Sequence, residues 1–170
     1  MIIIGIDTAI RKTGYGVIDM RTNGSFRILD CGLIRNAVSL PHSECLRRLA
    51  GGIRELVSSF KPEAASIESA FVSRNVKTAM ILSLARGAVI TALAECGVPA
   101  FEYSPKSAKR AATGLGEADK SQVASIMANL GGLDVSQIPD DATDALALAF
   151  CHGNLALRSA GGLMKPPVPI

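Results

Sequence analysis

A chain of 170 residues suits one domain and is long enough to bury a real core. Hydrophobic residues make up 48% with no low-complexity run, which excludes a disordered or fibrous protein. Aromatics reach only 4%, so the core must be aliphatic, and a net charge of +3 does not by itself point to a polyanionic partner.

Residues 2–7, Ile-Ile-Ile-Gly-Ile-Asp, form a short β-branched run of the kind seen in strands covered on both faces. Residues 14–19 and 26–34 read as two further strands, with the turn signal Asn23-Gly24 between them. Residues 40–60 switch to helical spacing, Leu46, Leu49, Ile53, Leu56 and Val57 making one stripe that Pro62 ends. A strand over 64–68 precedes a long helix over 75–96. A fifth strand is predicted over 98–103. Helical segments follow from Pro105 to the break at Gly114-Leu-Gly116, and from about Ala118 to Leu130. The last helix spans roughly 141–157, and residues 158–170 read as a Gly- and Pro-rich tail prone to fraying. The order predicts an α/β fold: a mixed five-stranded sheet flanked by helices, over one domain of residues 1–157.

The segment 79–100 is the most apolar, but Arg86 and Glu95 interrupt it, which predicts a buried helix rather than a membrane span. Because the helix over 75–96 is apolar on several sides, it is either covered within the monomer or shared with a symmetric partner. Cys31, Cys45, Cys96 and Cys151 have no ligand spacing; buried thiols in a reducing cytoplasm are expected. The opening segment lacks the basic flank and length of a signal peptide. His42 and His152 have no ligand-spaced partners and are assigned to structure or surface.

The carboxylates carry the chemistry. Asp7 ends the first strand and Glu68 the fourth, while Asp141 and Asp144 stand three apart at the start of the last helix, where both can project from one face. Acids ending buried strands are costly unless paired or metal-bound. Two carboxylates ~4 Å apart repel by roughly 4 kcal/mol even at an effective dielectric near 20, so four converging ones need cations. Two magnesium ions would stabilise the cluster and supply phosphodiester chemistry. With four acids so used, 18 basic side chains face 11 acids and the remaining surface carries +7. Each acid also has an ordinary reading: Asp7 as a turn opener, Glu68 as an exposed strand end, Asp140 and Asp141 as helix cap and dipole partner. Asp140 is the candidate cap. Spacing alone leaves it open as a ligand too, four residues before Asp144.

At these residues the chain resembles RuvC Holliday-junction resolvases, of the ribonuclease H-like superfamily. The resemblance starts with Ile4-Gly-Ile-Asp7 and Thr13-Gly-Tyr-Gly-Val-Ile18. It continues through Cys31-Gly-Leu-Ile-Arg35, Ile67-Glu-Ser-Ala-Phe71, Asn75, Ala85-Arg-Gly-Ala88, Phe101-Glu-Tyr103 and Lys109. It then takes in 114–123, Asp141-Ala-Thr-Asp-Ala-Leu-Ala147 and Cys151-His152. It implies that Asp7, Glu68, Asp141 and Asp144 are catalytic metal ligands, and favours Asp141 over Asp140. It implies two magnesium ions per site (manganese can substitute) and a homodimer nicking opposite strands of four-way junction DNA. A branch-migration helicase is the further partner it suggests. Lys109 and Lys120 match lysines near the cut phosphate, which places Lys120 with the catalytic residues. Phe71 matches an aromatic beside unpaired bases at the crossover. One departure stands out: the family continues the first acid with Pro-Gly, and this chain has Thr8-Ala9, losing a glycine able to take positive φ.

Lys106, Lys109, Arg110 and Lys120, with Arg74 and Lys77 after Phe71, supply candidate phosphate contacts. For Arg74, Lys77, Lys106 and Arg110 taken singly, a solvated basic surface is the preferred reading. Two other functions compete. Gly5-Ile-Asp-Thr followed by Gly14-Tyr-Gly also opens actin-like sugar kinases, but those folds need a second domain for which 170 residues leave no room. A junction-binding scaffold with an impaired active site is the alternative that Thr8-Ala9 raises.

Overall fold

The computed structural model describes all residues except 70–74, 133, 135 and 137. In chain order it contains β1 (Ile2–Asp7), β2 (Lys12–Met20), β3 (Phe26–Arg35), α1 (His42–Phe60), β4 (Ala64–Glu68), α2 (Val76–Glu95), β5 (Ala100–Tyr103), α3 (Pro105–Thr113), α4 (Lys120–Gly131) and α5 (Asp140–Ala160). The strands form one sheet in the order β3-β2-β1-β4-β5. β1, β2 and β3 pair antiparallel, whereas β4 and β5 join parallel to β1. This is the mixed five-stranded α/β sheet predicted from the sequence.

Alternation along β1 explains why it is apolar throughout. Ile3 faces a core built with α3, α4 and α5, while Ile4 and Ile6 face a second core built with α1 and α2. All three are fully buried, as befits the central strand of a sheet covered on both sides.

Helix α5 lies on the first of these faces, and three glycines set how close it comes. A Cβ on Gly5 would stand 1.8 Å from the Ala145 carbonyl oxygen, one on Gly14 2.0 Å from the Asp141 oxygen, and one on Gly16 2.6 Å from the Leu146 side chain. Any side chain at these positions would lift the helix off the sheet. The Ser66 hydroxyl adds a buried hydrogen bond to the Leu148 carbonyl at 2.7 Å, tying β4 to the same helix.

Helix α2 departs from the expectation of a buried helix. It packs against α1 through Ala85, Val89, Ala92 and Leu93, but Val76, Met80 and Leu84 are more than half exposed. It is the one helix among the described residues long and apolar enough to cross a membrane, although only 22% of its span is buried. The thiols also divide: Cys45 and Cys151 are buried, Cys31 is half-buried, and Cys96 is exposed, all four being free. Helix α5 runs to Ala160, past the predicted end at 157. Beyond it the Leu163 N–H donates to the Arg158 carbonyl, and the final Ile170 N–H donates to Ala100 on the edge strand β5.

Candidate active site

β1 and β4 are parallel neighbours in register, Ile6 beside Ile67, so Asp7 and Glu68 end the two strands at the same level. Side chains alternate across a sheet, so Asp7 shares a face with Gly5, and Glu68 with Ser66. Both Gly5 and Ser66 touch α5. The two acids therefore point to the α5 side. Helix α5 begins at the same edge, with Pro139 before its first residue, and carries Asp141 and Asp144 in its first two turns. Asp140 also enters the helix, as an exposed residue of the first turn; Pro139 occupies the cap position expected for it.

The four acids converge electrostatically. Burial, then the charges of Glu68 and Asp144, a hydrogen bond shared with Glu68 and the charge of Asp141 push the Asp7 carboxyl up from 3.8 to about 7. Accumulated negative charge beside a buried carboxyl has this effect because each further ionisation is opposed. Among the described residues no three acids stand as a ready-made metal cage. Instead the helix aspartates are held by lysines: Lys120 Nζ lies 2.7 Å from Asp144 Oδ2, and Lys12 Nζ 2.8 Å from Asp141 Oδ2. The Asp144 hydrogen bond raises the Lys120 ammonium above its usual range.

A cleft of about 240 Å³ opens at this edge. Asp7, Glu68 and Asp144 line it, with Lys109 and Lys120 on its walls, while Asp141 does not. Lys120 is the first residue of α4, whose N-terminus is closed by a capping box between Asp119 and Gln122. The helix start therefore presents Lys120 at a fixed point. Lys109 sits on α3, which Pro105 and the Ser104 cap begin directly after β5.

The other sequence candidates are less concentrated. Lys106 is exposed and pairs with Glu117 at 2.7 Å. Arg110 lines a separate groove of about 650 Å³ beside Arg158, and Lys77 is exposed in the first turn of α2. Phe71 and Arg74 lie outside the described residues. His152 is structural, as expected: it is buried, bonded through Nδ1 to the Tyr103 hydroxyl at 2.8 Å, and pushed down to about 4 by burial.

The turn after Asp7 takes a form the sequence reading did not foresee. Neither Thr8 nor Ala9 has a positive φ. The Thr13 hydroxyl closes the loop instead, donating to the Ala9 carbonyl and accepting from the Ala9 N–H. Two residues at the site were also missed. Lys12 is one; the period-two spacing 12, 14, 16 in a strand would have placed it on the Asp141 face. Arg86 is the other. From α2 its guanidinium donates to the Glu68 carbonyl and to the Glu102 carboxylate, pinning the end of β4. Its signal was the one arginine of a largely apolar helix.

Oxygen donors concentrated in this way suit hard divalent cations, whose charge would relieve the mutual repulsion that Asp7 registers. Comparisons with known proteins identify the family. The family model described as Crossover junction endodeoxyribonuclease RuvC matches residues 3–152. A protein of that description from Chlorobaculum parvum is 46% identical over 151 residues, 89% of this chain and 80% of that one. Another from Chloroflexus aurantiacus is 38% identical over 153 residues, 90% of this chain and 93% of that one. Among solved structures, T. thermophilus RuvC in complex with Holliday junction substrate matches with a TM-score of 0.88 at 31% identity, covering 100% of this chain and 99% of that one. The yeast mitochondrial Holliday junction resolvase Ydc2, at a TM-score of 0.58 and 10% identity, shares the ribonuclease H-like fold alone. With its fold and most of its length in agreement, this chain belongs to the RuvC family of crossover junction endodeoxyribonucleases.

Proposed function

We propose that this chain is a structure-selective DNA endonuclease that resolves Holliday junctions by paired symmetric nicks, with Asp7, Glu68, Asp141 and Asp144 as ligands for two magnesium ions. The observation that carries the reading is Asp7: a strand-end carboxyl pushed up to about 7 by burial and three neighbouring acids, inside a lysine-walled cleft. Ions bound there would supply positive charge to the phosphoryl oxygens and acidify the attacking water, and manganese can replace magnesium in that role.

The chain's own residues do the positioning. Asp7 and Glu68 stand on adjacent strand ends, and Asp144 faces them from α5. Lys120, once its pairing with Asp144 is exchanged for a phosphate, neutralises charge developing at the scissile group, and Lys109 steers the same strand from the other wall. Phe71 is assigned to stacking beside unpaired bases at the crossover. Arg74, Lys77, Lys106 and Arg110 are assigned to phosphates of the arms, where they contribute affinity rather than sequence preference.

The protein acts as a homodimer in this reading, α2 meeting its symmetry mate through Val76, Met80 and Leu84. Their spacing of four residues puts them on one exposed stripe. Two copies related by a two-fold axis present two clefts to a junction that has the same symmetry. The work belongs in the cytoplasm with the chromosome, alongside a branch-migration helicase.

The test uses a four-way junction and a linear duplex, each with magnesium and with EDTA. Paired nicks near the crossover, dependent on magnesium and absent from the duplex, are expected. Tight junction binding with no cutting under any divalent ion would favour the impaired-scaffold alternative.

A further inference from the structure

The helix aspartates are not equivalent. Asp144 pairs with Lys120 and still lines the cleft, whereas Asp141 pairs with Lys12 and is absent from the lining. Lys12 opens β2, and the alternation of that strand puts it on the face of Gly14 and Gly16, against the first turn of α5. Its ammonium is therefore delivered by the sheet, from the first residue of β2. Asp141 Oδ2 is 2.8 Å from it, with the Asp141 side chain 27% exposed and that of Lys12 45% exposed.

We infer that Lys12 is a positioning residue, a built-in counter-ion that holds Asp141 out of the cleft and thereby sets the affinity of the acid cluster for divalent metal. The inference rests on the metal-binding reading above and adds what competes with the metal. Lys12 occupies one oxygen of Asp141, so the pair competes with the metal for that carboxylate and opposes metal binding. Lys12 also places a positive charge beside an arriving cation. Removing it acts in one direction: the metal binds more tightly. A half-exposed pair has modest strength, so the expected gain is about threefold to fivefold.

Manganese binding to the DNA-free protein, followed by electron paramagnetic resonance, tests this without cleavage. Lys12→Met keeps the aliphatic stem and removes the charge; it should bind manganese about threefold to fivefold more tightly than wild type. Lys12→Arg keeps the pair and should match wild type, which also serves if the methionine variant is poorly folded. Arg35→Met removes an exposed cation directly across the β2–β3 register from Lys12 but not held to Asp141. It should shift the affinity by much less. An unchanged or weaker affinity in Lys12→Met overturns the inference, and so does an equal gain in Arg35→Met, since the effect would then be one of overall charge. A wild-type protein that binds no manganese, or an Asp7→Asn variant that binds it undiminished, would instead defeat the metal site itself.

Discussion

Replacing Gly14 by alanine is the most informative single perturbation of the site, because it touches no catalytic atom. The added Cβ would stand 2.0 Å from the Asp141 carbonyl oxygen and 2.4 Å from its carbonyl carbon, where ordinary contact begins at 3.4 Å. Neither partner can turn aside, since both are backbone, one in a strand of the sheet and one in the first turn of α5. The helix start must move away by more than 1 Å, carrying Asp141 and Asp144 with it. Overpacking of this kind costs about 1–3 kcal/mol of stability. The core contacts of Leu146 and Leu148 further along α5 should keep the fold intact. Displacement of reacting groups by ~1 Å costs on the order of 100-fold in rate. Gly14→Ala should therefore retain cooperative unfolding and junction binding while cleavage under single-turnover conditions falls on the order of 100-fold. Gly51→Ala is the control, an α1 glycine whose Cβ would meet nothing within 4 Å; it should raise stability slightly and leave the rate alone. A folded Gly14→Ala protein that cuts at the wild-type rate would refute the claim that close seating of α5 on β2 places the acids.

Three further outcomes are expected. Asp7 holds its proton to about pH 7 in the folded chain and releases it near 3.8 when unfolded. Metal-free stability is thus highest below about pH 4 as far as this group is concerned, and is lost as pH rises to 7. Asp7→Asn should abolish cleavage, preserve junction binding, and stabilise the metal-free protein at pH 8 by about 1–3 kcal/mol after solvent screening. Chemical denaturation at pH 5 and pH 8 checks this, and equal gains at the two pH values would contradict it. Lys120→Ala breaks an exposed ion pair and should change stability by less than ~1 kcal/mol while slowing cleavage on the order of tenfold or more. A normal rate removes it from the site. Met80→Glu with Leu84→Glu puts charge on the α2 stripe and should convert a dimer to a monomer in sedimentation at micromolar concentration; a wild-type protein that is itself monomeric rules out the proposed interface.

What the sequence determined on its own was the set of elements and the presence of acids at their ends, with Asp140 and Asp141 left as alternatives. Period-two and period-3.6 spacing are local properties, so the β-branched run ending at Asp7 and the stripe from Leu46 to Val57 could be assigned without knowing what covers them. Four carboxylates ending or starting such elements were visible for the same reason. Their convergence was legible only through the resemblance to known resolvases, since spacing says nothing of which strand ends lie side by side. Tertiary structure decided the rest. β1 and β4 are parallel neighbours, which sets Asp7 beside Glu68. Gly5, Gly14 and Gly16 let α5 descend onto them, a role that no single-strand pattern expresses because it depends on a helix some 130 residues away. The pairing of Lys12 with Asp141, the closure of the Thr8-Ala9 turn by Thr13 and the exposed stripe on α2 have the same origin. They are contacts, or missing contacts, between elements whose distance in space is set by packing and not by position along the chain.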